Sequence, residues 1–105
     1  MTDKKIIKND DLSDNKIDDL SDFFKVMGDN TRLKILIALI HNEYCVNDIA
    51  SIIGLSQSAV SHQLKVLRKS KLVKSTRNGR YIYYSLDDEH VEIILNMAIE
   101  HINEN

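Results

Sequence analysis

A mainly α-helical domain carrying one β-hairpin is the fold class this sequence predicts. Three observations predict it. Apolar residues recur at helical spacing in several separate stretches of the 105-residue chain. Between Leu72 and Leu86 a short strand, an Asn-Gly pair and an aromatic strand follow one another, as in a hairpin. The 38 residues from Ile49 to Leu86 hold seven basic side chains and no acid, although the whole chain has a net charge of −2.

Taken in order, residues 1–15 are polar, rich in Asp and Lys, and read as a flexible arm. Residues 16–105 read as one domain. Ser13 or Asp14 caps a first helix that runs to about Met27, with Ile17, Leu20, Phe23, Phe24 and Met27 on one stripe. Gly28-Asp29-Asn30 breaks it. A second helix spans Thr31 to His41 and is apolar on most sides. Val46 or Asn47 opens a third, which Gly54 ends. Ser56 caps a fourth from Gln57 to about Ser70, with Ala59, Val60, Leu64 and Leu67 facing inward.

Residues 72–86 then form the hairpin, with Asn78-Gly79 supplying the positive φ angles of a tight turn. Asp87 or Asp88 caps a last helix over about 88–103. Val91, Ile94, Leu95, Ala98 and Ile102 form its stripe, widened by Ile93 and Met97, and a helix this apolar calls for a partner.

Two short helices joined through a glycine turn, about 46–70, followed by a hairpin wing, make a winged helix-turn-helix. The acid-free stretch supplies its electrostatics: Lys65, Arg68, Lys69, Lys71, Lys74, Arg77 and Arg80. A merely solvated face mixes both signs of charge, whereas segregated cations are the footprint of a phosphate-backbone binder. Screening over about 8 Å lets this local charge prevail over the acidic total. Gln57, Ser58, Ser61 and His62 are small or polar and can bond base edges in a major groove. Lys65 and Arg68 lie further along the helix and suit phosphates. Arg77 and Arg80 flank the tip of the wing. Double-stranded DNA is the expected partner.

Other classes are disfavoured. There is no nucleophile–base pair and no phosphate loop, so an enzyme with a small-molecule substrate is not expected. No apolar run approaches the roughly 18 residues of a membrane span. The N-terminus lacks a signal-peptide core, and the lone Cys45 suits a reducing compartment, so a cytoplasmic protein is expected.

Three segments together resemble the ArsR/SmtB family of winged-helix repressors: Tyr44-Cys45-Val46-Asn47-Asp48-Ile49-Ala50, then Leu55-Ser56-Gln57-Ser58-Ala59-Val60-Ser61-His62-Gln63-Leu64-Lys65, then Gly79-Arg80-Tyr81-Ile82-Tyr83-Tyr84-Ser85-Leu86. The likeness runs from about Asp22 to Glu104. It implies a homodimer that sits on a palindromic operator and leaves it when an effector, usually a metal ion, binds.

The last helix holds Asp88-x-His90 at its start and His101-x-x-Glu104 at its end. Two imidazoles and two carboxylates suit a tetrahedral Zn²⁺ site, with Co²⁺ as surrogate. His90 and His101 are eleven residues apart, about 16 Å along a helix, so one ion cannot touch both in one chain. The four converge only if a second copy of the helix runs antiparallel, which gives two sites per dimer. Taken alone, these residues also allow a plainer account. Asp88 can be a helix cap, and His101 suits a helix C-terminus. Against that account, the region from Asp87 to Asn105 holds six acids and no Lys or Arg, so pairing two copies is repulsive without a cation.

The same four-residue pattern resembles the zinc site of SmtB- and CzrA-like sensors. That resemblance also implies a bond from the free ring nitrogen of His101 to backbone near Lys71. Ni²⁺ remains open beside Zn²⁺ and Co²⁺. A second family site uses thiolates. Cys45 and Asp48 match two of its positions, but Asn47 stands where soft-metal sensors place another Cys, and Cys45 reads as a small half-buried hydrophobe. A thiol or redox switch at Cys45 and a metal-storage protein without DNA function are the competing readings.

Overall fold

The computed structural model describes residues 12–104. Five helices and one hairpin follow in the order α1 (Asp14–Met27), α2 (Asn30–Ala38), α3 (Val46–Ile53), α4 (Gln57–Lys69), β1 (Val73–Asn78), β2 (Tyr81–Leu86) and α5 (Glu89–Asn103). α1 begins at Asp14, inside the span read as the arm, and residues 1–11 lie outside the described part.

Side-chain caps set most of the helix starts. Ser13 accepts from the Lys16 N–H, Asp29 from that of Arg32, and Ser56 from that of Ala59. Asp88 accepts from the N–H groups of both His90 and Val91. α2 stops at Ala38 rather than at His41. The chain turns there, with Asn42 N–H donating to Leu39 C=O and His41 in the left-handed region at φ 67°. α3 ends at Gly54, whose φ of 74° favours glycine.

α4 ends in a Schellman turn. Lys71 N–H donates to Arg68 C=O and Leu72 N–H to Leu67 C=O, with Lys71 at φ 60° in the position glycine usually fills. Leu72, fully buried, also accepts from the Asp87 N–H through its own carbonyl. One residue thus ties the end of α4 to the approach to α5.

The hairpin differs in detail from expectation. Asn78 pairs with Tyr81 inside the ladder, so the turn is Gly79-Arg80, and Gly79 alone takes positive φ, at 68°. A two-residue turn with glycine first is the form that follows the twist of the flanking strands. The shift leaves Arg80 at the tip. Tyr44 adds an antiparallel bridge to Tyr84, with bonds of 3.1 and 2.7 Å, and so holds the α2–α3 connection against the wing.

The core gathers Ile35 and Leu36 of α2 and its C-cap Leu39, Ile49 of α3, Val60, Leu64 and Leu67 of α4, Leu72, Val73 and Leu86 at the wing base, and Val91 and Leu95 of α5. Ala59 does not join it: it stands in the first turn of α4 and is exposed. Two apolar stripes also stay uncovered in the single chain. They are Ile17, Leu20 and Phe24 on α1, and Ile93, Met97 and Ile102 on α5, the last 73% exposed.

Leu67 is wholly buried and its carbonyl closes the α4 turn. Leu67→Ala is expected to lower unfolding free energy by about 2–5 kcal/mol, read from urea denaturation by circular dichroism.

Candidate nucleic-acid interface and metal ligands

Burying Val60, Leu64 and Leu67 turns the opposite side of α4 to water. That side carries Gln57, Ser58, Ser61, His62, Lys65 and Arg68, all exposed. Ser61, Lys65 and Arg68, at successive turns, line a groove of about 230 Å³ whose far wall is Tyr84 of β2. Arg68 reaches across and donates from Nη1 to Ser75 Oγ at 3.1 Å. It therefore braces the wing as well as presenting charge. Arg77 lies on β1 and Arg80 at the tip, both exposed. Gln57, Arg80 and Tyr81 share a second shallow groove, so the start of α4 and the tip of the wing border one surface. None of the residues lining the two grooves is an acid.

The four candidate metal donors sit at the two ends of α5. Asp88 Oδ1 is engaged by the backbone, whereas Asp88 Oδ2 stands 3.4 Å from His90 Nδ1. Neighbouring donors on a tetrahedral ion with bonds of about 2 Å stand roughly 3.3 Å apart, so this pair already has the spacing of two ligands of one ion. His90 is 83% exposed in its side chain, which leaves it accessible. His101 lies in the last turn and Glu104 is the C-cap, its N–H donating to His101 C=O. Among the described residues of one chain, no three His, Cys, Asp or Glu side chains gather where they could hold a metal. The two pairs thus lie at opposite ends of one helix.

At Asp88 loss of hydration, the largest single influence, pushes the carboxyl up. The Val91 N–H, the His90 ring, the His90 N–H and the nearby His90 charge outweigh this and hold it below its ordinary value. Cys45 donates to Asp48 Oδ2 at 3.2 Å and is half-buried. His41 instead stands 3.4 Å from Glu92 of α5.

Sequence reading missed two side chains that join α4, which carries this surface, to α2. Arg32 of α2 donates from Nε to Gln63 Oε1 of α4 at 2.9 Å. The available signal was Gln63 itself, a polar residue between Val60 and Leu67 on an otherwise apolar flank.

A helix with an exposed basic side, packed on α2 and α3 beside a hairpin wing, defines a winged helix-turn-helix DNA-binding domain. The family model for bacterial regulatory proteins of the arsR family matches residues 29–75. The transcriptional repressor SmtB homolog of Synechocystis sp. is 44% identical over 85 residues, covering 81% of this chain and 64% of that protein. A cadmium resistance regulatory protein CadC homolog of Staphylococcus aureus is 39% identical over 95 residues, covering 90% of this chain and 78% of that one.

Among solved structures, a homodimeric winged helix-turn-helix DNA-binding domain from Mycobacterium bovis, described as a possible ArsR-family regulator, has a TM-score of 0.81 at 28% identity and covers 88% of each chain. The chain belongs to the ArsR family of bacterial regulatory proteins. It spans less than two thirds of the length of the SmtB homolog it matches. The family is one of transcriptional regulators rather than enzymes, in line with the sequence expectation. Among the described residues no helix is long and apolar enough to cross a membrane.

Two outcomes are expected. Lys65→Gln lowers the slope of log affinity against log salt by about one on any duplex, measured by fluorescence anisotropy, because one phosphate contact is lost. A carboxylate held below its unfolded-state value stabilises the folded form above that value, and the contribution disappears as pH falls through the lowered folded-state value. Amide protection at His90 and Val91, followed by NMR from neutral pH downward, is therefore expected to persist until acid. Asp88→Ala removes the protection at every pH.

Proposed function

We propose that this protein is a zinc-responsive transcriptional repressor of the cytoplasm. Its metal-free homodimer binds palindromic operator DNA and is released when Zn²⁺ binds between antiparallel α5 helices. The observation that carries this reading is the Asp88–His90 donor pair at 3.4 Å, at the start of a helix whose far end carries His101 and Glu104. The uncovered stripes on α1 and α5 supply the apolar area that a second copy would cover, and the M. bovis relative is a homodimer. Asp88 and His90 of one protomer, with His101 and Glu104 of the partner subunit, would hold the ion, twice per dimer. Bound there, the metal supplies positive charge between two acidic helix ends.

Zinc or its surrogate Co²⁺ is favoured over cadmium by the donors, which are nitrogen and oxygen without thiolate. Cys45 is gathered only with Asp48, and no third donor joins them among the described residues. The chain contains no second cysteine to resolve an oxidised Cys45. The DNA side rests on Gln57, Ser58, Ser61 and His62 for bases, and on Lys65, Arg68, Arg77 and Arg80 for phosphates.

The two ends communicate through backbone. Asp88 follows Asp87, whose N–H holds the Leu72 carbonyl, and the Leu72 N–H closes α4 onto Leu67. A bond from the His101 ring to backbone near Lys71 would act on the same turn from the other end of α5. An effector shifts DNA affinity only by binding the two arrangements unequally, and the coupling is reciprocal.

Zinc titrated into a dimer held on an AT-rich palindromic duplex, read by anisotropy, is expected to weaken binding by roughly 5–150-fold, and DNA should weaken zinc binding by the same factor. His90→Ala should bind DNA and lose the zinc response. His101→Asn should do likewise, and release of DNA by zinc in either variant would overturn the site.

A further inference from the structure

Among the described residues, two side-chain hydrogen bonds join one helix or strand to another, and both end on α4. Arg68–Ser75 ties its C-terminal end to the wing. Arg32–Gln63 ties its middle to α2, between residues 31 positions apart in the chain. We infer that the Arg32–Gln63 pair sets the roll of the recognition helix about its own axis, and so positions Ser61, His62 and Gln57 for base reading. This rests on the DNA-binding function proposed above.

The reasoning is geometric. The rest of the inner face of α4 is Val60, Leu64 and Leu67, and apolar packing has no direction of its own. Such contacts specify the angle of a helix less sharply than a directional bond does. A bond from a guanidinium to an amide oxygen is charge-assisted and directional, and this one is part-buried at 2.9 Å. Its donor is itself well anchored. Arg32 stands in the first turn of α2, and the Asp29 carboxylate that caps that helix accepts from the Arg32 N–H at 3.1 Å. The acceptor sits one residue from His62 and two from Ser61 on the helix that enters the groove. A rotation allowed at Gln63 displaces their tips sideways, where base-edge bonds are least tolerant. Phosphate contacts from the long side chains of Lys65 and Arg77 adapt to the same rotation. Arg32 and Gln63 are therefore positioning residues whose loss falls on sequence discrimination more than on general affinity for DNA.

The test compares two duplexes, one selected by the wild-type protein from a randomised library and one of the same composition scrambled. The readout is the ratio of the two affinities, with thermal denaturation alongside. Arg32→Met combined with Gln63→Leu removes both polar partners and leaves no stranded donor. This double variant is expected to stay folded, to lose for the scrambled duplex only the affinity that a change of one charge costs, as Gln63→Glu does, and to lose about tenfold in the ratio. Gln63→Glu keeps an acceptor for Arg32. Its added charge weakens both duplexes alike and is expected to leave the ratio intact. A folded double variant with the wild-type ratio overturns the inference, as does a Gln63→Glu protein that discriminates no better than the double variant. Failure of the double variant to fold assigns the bond to stability and overturns it too. If the wild type selects no preferred duplex, sequence-specific DNA binding itself falls.

Discussion

Burial of Val60, Leu64 and Leu67 against α2 and α3 obliges the other side of α4 to face water, and most of what the molecule offers a partner follows from that obligation. Each fully buried aliphatic side chain contributes about 2 kcal/mol. Rolling α4 far enough to hide its polar face would give up three of them and submerge Ser61, His62 and Lys65 without hydrogen-bond partners. The same burial draws Leu72 under the end of the helix, and Leu72 in turn fixes where the wing begins and where α5 is approached. A single apolar seam thus orients the basic surface, the wing and the acidic helix.

Charge is distributed to match. The stretch from Ile49 to Leu86 is wholly without acids, and all sixteen lie on either side of it, ten before Ile49 and six after Leu86. A surface of one sign attracts DNA at any sequence, which explains affinity but not discrimination. Discrimination depends on angles, and the two polar ties on α4 are the directional contacts that join it to α2 and to the wing. Arg68 is instructive in this respect. Read along the chain it is one more cation for phosphate, but in the folded molecule it also donates to Ser75 and braces the wing.

Asp88 shows a comparable doubling. One of its oxygens is committed to starting α5, and the other faces the His90 ring at a spacing suited to an ion. Cap and candidate ligand are therefore compatible roles rather than rival explanations. Helix length imposes the complementary constraint: the His101 and Glu104 end of α5 lies too far away to complete the set within one chain. Convergence would require two copies, and the apolar stripes left open on α1 and α5 offer area for a second one.

Most element boundaries were legible because their causes are local. Ser13, Asp29, Ser56 and Asp88 start helices through bonds that span two or three residues, and Gly54 stops one through its own φ. Apolar periodicity likewise named most of the core. Local signals failed where two conformations differ only in their long-range pairing. Asn78 could stand in the turn or in the ladder, and its partner Tyr81 decided for the ladder. Ala59 fits an inward stripe by spacing, yet it lies beyond the edge of the core at the first turn of α4. The Arg32–Gln63 bond, the Tyr44–Tyr84 bridge and the Leu72 junction join segments far apart in the chain. Gln63 interrupts an apolar flank, but no periodicity or cap names the partners of these bonds. They exist only once the helices have packed, because which polar groups come within 3 Å of each other depends on the angles at which apolar surfaces settle.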